Sequence, residues 1–212
     1  MYFAPAIFNN INNPQDGEVL TYDAASGLWV NAQSSSGQPV SRVDALPRTA
    51  ITTTQALGAG EMNLTYFTAP NAFTVSKIAA ARSVTGPTTT ARYLALYSED
   101  PITGDLTLVA QTGNNAAILV NPYTETALLS PYTLVANQRY AIGILFTGSA
   151  MPNLLCTQTG VILSGGIDEL LAATPRVSAQ SVASLTSPPA SITASTGLTI
   201  TKQAVMYLGV LA

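Results

Sequence analysis

The stretch 92-RYLALYSEDPITGDLTLVAQT-112 decides the fold class. Its two ends, 92-RYLALYS-98 and 105-DLTLVAQ-111, carry the aromatic, aliphatic and β-branched residues that suit a pleated, half-buried surface. Between them, 99-EDPITG-104 puts Pro101 at the second position of a turn and Gly104 near its close. Strand, turn and returning strand predict an antiparallel hairpin. The same texture extends in both directions, through 62-MNLTYFTA-69, 73-FTVSKIAAA-81, 139-RYAIGILFTG-148 and 197-GLTITKQAVMYLGVL-211. Phe73, Val75 and Lys77 alternate with Thr74, Ser76 and Ile78 at the period of a strand. Turn chemistry at 85-TGPTTT-90, 113-GNN-115, 121-NP-122, 148-GSAMPN-153 and 186-TSPP-189 recurs at the spacing of a sandwich. One short helix is predicted in 164-SGGIDELLAATP-175, with Asp168 and Glu169 in its first turn and Pro175 at its end. The expectation for residues 40–212 is therefore an all-β antiparallel sandwich, jelly-roll-like, acting as a head domain.

The first forty residues read differently. Residues 1–15 are expected to form an extended arm, because Asn9, Asn10, Asn12 and Asn13 favour turns and Pro14 opposes a helix. Tyr2, Phe3, Ile7, Phe8 and Ile11 make that arm too apolar for a free tail, so it is expected to lie against its own domain or a partner. Residues 16–39 read as a hairpin and linker: Val19 to Tyr22 as a strand, Asp23 to Gly27 as a turn, Leu28 to Val30 as the return, then 34-SSSGQP-39 as a joint. Trp29, the sole tryptophan, sits on that hairpin. A two-stranded hairpin is marginal in water by itself. Val19, Leu20, Tyr22, Leu28, Trp29 and Val30 are therefore expected to pack on a surface outside the hairpin, in an oligomer interface.

Composition narrows the function classes. Of 212 residues, 47% are hydrophobic and only 9% charged, against roughly 25% charged in an average soluble domain. Such a surface suits a chain covered by neighbours or clothed in Thr, Ser, Asn and Gln. Net charge is −3 and the eight basic residues are scattered, so neither a nucleic-acid patch nor polybasic membrane attraction is expected. The start of the chain lacks the basic region of a secretory signal, and none is expected. Residues 140–167 carry no charge, but Gly143, Gly148, Pro152, Asn153 and Gln158 interrupt them, so no membrane insertion is expected.

Catalytic chemistry finds little material. The chain has no histidine, which removes the commonest acid–base group and metal ligand and rules out Ser-His-Asp and Cys-His arrangements. Cys156 is the single cysteine, so no intrachain disulfide forms, and it reads as a small buried hydrophobe. In 57-LGAGEM-62 the glycines lack the Lys-Ser/Thr of a phosphate loop. Glu99, Asp100 and Asp105 read as turn residues, with a weak calcium site as the alternative. No enzyme activity, cofactor or metal is expected. Among the tyrosines, Tyr123 and Tyr132, each beside a proline in a predicted loop, are the least core-like and the candidates for glycan contact.

The hairpin 17-GEVLTYDAASGLWVNAQ-33 resembles a short motif of tail-fibre and other virion-attached proteins of tailed bacteriophages. Gly17, Val19, Leu20, Tyr22, Asp23, Gly27, Trp29, Val30 and Asn31 carry the likeness. The segments 92–112, 132–148 and 187–196 are similar to the β-sandwich that follows the connector in such proteins. The resemblance implies a virion structural protein, assembled in the host bacterial cytoplasm: a homotrimer joined through the hairpin, and anchored to other virion proteins at tail tip or capsid by its arm. The head would face outward for decoration or for binding a host-surface glycan. The alternative from a different class is a stand-alone carbohydrate-binding module of a bacterial surface protein.

Overall fold

The computed structural model describes residues 18–23, 28–33, 42–84, 88–157, 176–181, 184–199 and 205–212. The arm with Tyr2, Phe3, Ile7, Phe8 and Ile11, the linker 34–39 and the predicted helix 164–175 lie outside them. The chain divides into two compact units, Met1–Val40 and Ser41–Ala212.

In the first unit, β1 (Glu18–Asp23) and β2 (Leu28–Gln33) pair antiparallel, with Tyr22 opposite Trp29 and Asp23 opposite Leu28. Residues alternate between the faces of a strand. The register therefore puts Leu20, Tyr22 and Trp29 on one face of the hairpin and Val19, Leu28 and Val30 on the other.

The second unit is an antiparallel sandwich. It begins with β3 (Arg42–Asp44), β4 (Thr53–Ala56), β5 (Met62–Thr68), β6 (Thr74–Val84), β7 (Thr89–Glu99) and β8 (Leu106–Gln111). It continues with β9 (Tyr123–Thr133), β10 (Arg139–Gly148), β11 (Asn153–Cys156), β12 (Ser178–Ser181), β13 (Ser191–Ile192), β14 (Leu198–Thr199) and β15 (Leu208–Leu211). The larger sheet runs β13-β8-β7-β10-β5-β12-β14. In the smaller, β6 is central: β9 lies along one edge, while β15 and β11 share the other and carry β3 and β4 outside them. The chain crosses between sheets at most connections. Among the described strands of this unit, β7 and β8 are the only consecutive pair bonded to each other.

That hairpin closes as its sequence dictates. Asp100 N–H donates to Asp105 O at 2.8 Å and Gly104 N–H to Asp100 O at 2.9 Å, with Gly104 at a φ of 74°. A left-handed residue here favours glycine because a Cβ would meet the backbone.

Between the sheets, Leu94, Leu96, Ile142, Ile144 and Phe146 meet Ile78, Ala80, Leu154, Leu208 and Val210. The larger sheet also buries its other face: Met62, Leu64, Tyr97, Ala141 and Leu145 pack with Ile192, Leu185 and Leu198 from the segment 184–199. Tyr97 Oη donates to Pro189 O at 3.1 Å, tying that segment down. Burial on both faces explains the unbroken run 140-YAIGILF-146, all of it buried, which a one-sided sheet would interrupt with polar residues. Gly143 stands where a Cβ would lie 2.8 Å from Met62 Sδ.

Cys156 is fully buried against this core. Burial pushes its thiol up from 9.0 to about 11. The neutral thiol is thus the form present at physiological pH, and a thiol reagent at pH 8 is expected to label Cys156 only after urea unfolding. Stoichiometric labelling of the folded chain within minutes would contradict this packing.

Candidate functional site

The carboxylates singled out in the sequence each hold a neighbour. Glu99 Oε2 accepts from Arg139 Nε at 2.5 Å. Asp100 Oδ1 accepts the amides of Ile102 and Thr103 at 2.8 and 2.9 Å, and these bonds hold its carboxyl below the usual range. Asp105 Oδ1 accepts Ala194 N–H at 2.7 Å, at the start of the helical turn Ala194–Gly197. Among the described residues, no three Asp, Glu, Cys or His side chains are placed to hold a metal ion, so Glu99, Asp100 and Asp105 do not assemble as a calcium site.

The two candidate tyrosines are not on a loop. Both lie on β9, Tyr123 at its first residue and Tyr132 one residue before its end. Their register partners on β6 are Ala81 and Val75, so six intervals along β6 separate them, about 20 Å at the usual rise. Pro131 marks a bulge rather than a loop. Val75 pairs with Tyr132 and Lys77 with Ala127, leaving Leu128 to Pro131 opposite Ser76 alone. A proline cannot donate to the ladder, and a bulge tolerates it. Tyr132 is half-buried, its ring edge-on to Tyr140 at 6.1 Å. Tyr123 is 42% exposed and belongs to a different constellation.

That constellation covers the outer face of the smaller sheet. Glu125 on β9 is opposite Ala79 on β6, Ala79 is opposite Gly209 on β15, and Gly209 is opposite Asp44 on β3. Two small residues in mid-row leave space for long side chains to lie flat across them. A Cβ at Gly209 would come within 2.6 Å of Asp44 Oδ1. Into that space reaches Arg42. Its Nε donates to Asp44 Oδ1 at 2.6 Å, its Nη1 to Tyr123 Oη at 2.7 Å, and its Nη2 to Tyr207 Oη at 2.5 Å. Tyr123 Oη donates onward to Glu125 Oε1 at 2.6 Å, and Tyr207 Oη to Asp44 Oδ1 at 3.1 Å. Arg48 Nε completes the network on Asp44 Oδ2 at 2.9 Å.

Electrostatics follow from this wiring. Burial works against the Arg42 charge, but its bonds to Asp44 and Tyr123 outweigh that and hold the guanidinium above its ordinary value. The Tyr207 hydroxyl and Asp44 raise Arg48 in the same sense. Burial, and then the Glu125 carboxylate, raise Tyr123. Arg42 and Arg48 therefore stay charged and the Tyr123 hydroxyl stays protonated at neutral pH. The arrangement can orient and bind.

Beside the network lies a groove of about 470 Å³. Ile51, Ala81, Pro122 and Leu155 form its apolar surface, Arg42, Arg48, Tyr123, Glu125 and Tyr207 supply its polar groups, and the buried Arg82 borders it. Of these, sequence reasoning found Tyr123 alone. A signal for the others existed: in a chain with 9% charged residues, 41-SRVDALPR-48 concentrates Arg42, Asp44 and Arg48. No protein-family model matches this chain, and no curated protein matches it either.

Proposed function

We propose that this chain is a non-enzymatic structural protein of a tailed-bacteriophage particle, assembling as a trimer through the hairpin 16–39. The sandwich faces outward, and the arm 1–15 attaches to other virion proteins. One observation carries the reading: β1 and β2 pair as a two-stranded hairpin within the separate unit Met1–Val40, and a hairpin by itself is marginal in water without a partner surface. A threefold arrangement supplies that surface from copies of the same element. Virion attachment rests on the resemblance of the hairpin motif to phage connectors.

Static light scattering of the full chain at micromolar concentration tests the assembly, with an expected mass of about three times 22.0 kDa. A monomer at that concentration refutes it. The second reading, a carbohydrate-binding module, is favoured by the groove with the half-exposed ring of Tyr123 and is compatible with an outward-facing head.

A further inference from the structure

We propose that the groove on the outer face of the smaller sheet binds a saccharide bearing a carboxylate. The inference deepens the reading of the sandwich as an outward binding domain and rests on it.

The shape suits a small ligand. At about 470 Å³ the groove falls within the roughly 300–1,000 Å³ usual for small-molecule sites. Its apolar patch of Ile51, Pro122 and Leu155 offers van der Waals contact to the C–H face of a pyranose. The Tyr123 ring stands at its rim, packed beneath the Arg42 guanidinium at 5.6 Å. Because the Tyr123 hydroxyl is bonded to both Arg42 and Glu125, the ring is held in place before any ligand arrives. Little side-chain freedom is then lost on binding.

Charge selects the acid. Within the network Arg42 and Arg48 stand against Asp44 and Glu125, while the Arg82 guanidinium is buried and turned to the carbonyls of Leu119 and Val120. Arg48 keeps 60% of its side chain exposed while its Nε holds Asp44. An arginine carries five N–H donors, so Arg48 can grip a ligand carboxylate without releasing Asp44.

Two features favour a sugar over other anions. Glu125 beside the arginines repels a dianionic phosphate, yet it accepts hydrogen bonds from hydroxyl groups. Extended peptides commonly bind by adding to a free sheet edge, and the groove offers no such edge where it overlies β6. That strand is paired with β9 on one side and with β15 and β11 on the other.

The test uses the full chain on an array of acidic oligosaccharides, each printed beside its carboxyl-reduced counterpart. Wild type is expected to bind at least one acidic member, and to lose about ten- to a hundredfold on carboxyl reduction, the effect of one charge-assisted contact. Arg48→Ala should abolish the preference for the acid. Tyr123→Ala should weaken both forms together. Equal binding of native and reduced sugars overturns the proposal, as does binding indifferent to Arg48→Ala and Tyr123→Ala, or no binding across the array. Far-UV spectra establish that the variants are folded, and light scattering is run on the same samples. A trimer that binds no glycan sinks the groove and spares the assembly; a monomer that binds acid in the expected pattern does the reverse.

Discussion

Trp29→Ala is expected to dissociate the trimer while leaving the sandwich folded. Under the proposed assembly the hairpin is stabilised from outside itself, since two six-residue strands enclose no core. Removing a buried ring of this size costs about 3–5 kcal/mol, and threefold symmetry imposes the loss three times on one assembly. The unit Ser41–Ala212 has two cores of its own, so its β signal in far-UV circular dichroism should persist. Sedimentation of wild type and variant across a dilution series makes the comparison, since assembly follows mass action. An unchanged oligomer would place Trp29 outside the interface. Loss of β structure together with the oligomer would show that hairpin and sandwich fold as one cooperative unit.

Arg82→Leu is expected to cost about 1–3 kcal/mol of stability, chiefly from the buried Leu119 carbonyl left without its donor. Arg82 is on β6 and 4% exposed. Its Nε donates to Leu119 O at 2.5 Å and its Nη2 to Val120 O, while its backbone N–H donates to Pro122 O at 2.8 Å. Arg92 holds the preceding turn through Ala116 O at 2.6 Å and Ile118 O at 2.8 Å. The gripped segment inserts Ile118 and Leu119, both fully buried, into the core between the sheets. Leu119 does so at a φ of 58°, a left-handed conformation that costs a non-glycine residue about 1–2 kcal/mol. Two arginines fixing the carbonyls outweigh that cost and keep the plug seated. Urea unfolding should show a lower midpoint at an unchanged slope. Arg82→Lys should recover only part of the loss, because a single ammonium does not reproduce a planar fork. A change below about 0.5 kcal/mol for Arg82→Leu would mean that the plug holds without its clamp.

By itself the sequence determined what short-range chemistry controls. Pro101, Gly104 and the flanking strands specify the β7–β8 hairpin because a turn needs only neighbours. The lack of histidine excludes Ser-His-Asp and Cys-His triads whatever the fold. Cys156, a small hydrophobe in an apolar run, is buried for the same short-range reason. Period-two alternation and turn spacing were enough for an antiparallel sandwich. The rest depended on pairings between distant strands. Arg42 meets Tyr123 across 81 residues and Tyr207 across 165. No local rule brings those three side chains to one face, because which strand lies beside which is settled by burying both faces of the larger sheet at once. Tyr123 and Tyr132 read as a loop pair because proline signals a break, yet a bulge opposite Ser76 carries Pro131 within a strand. Arg82 gave no sign of its role either: a lone cation in a strand reads as solvated until the fold turns two backbone carbonyls toward it. Short-range preference chose the kind of layer, and only the tertiary structure decided which side chains share a face, because the β period fixes alternation along a strand and says nothing of the strand alongside.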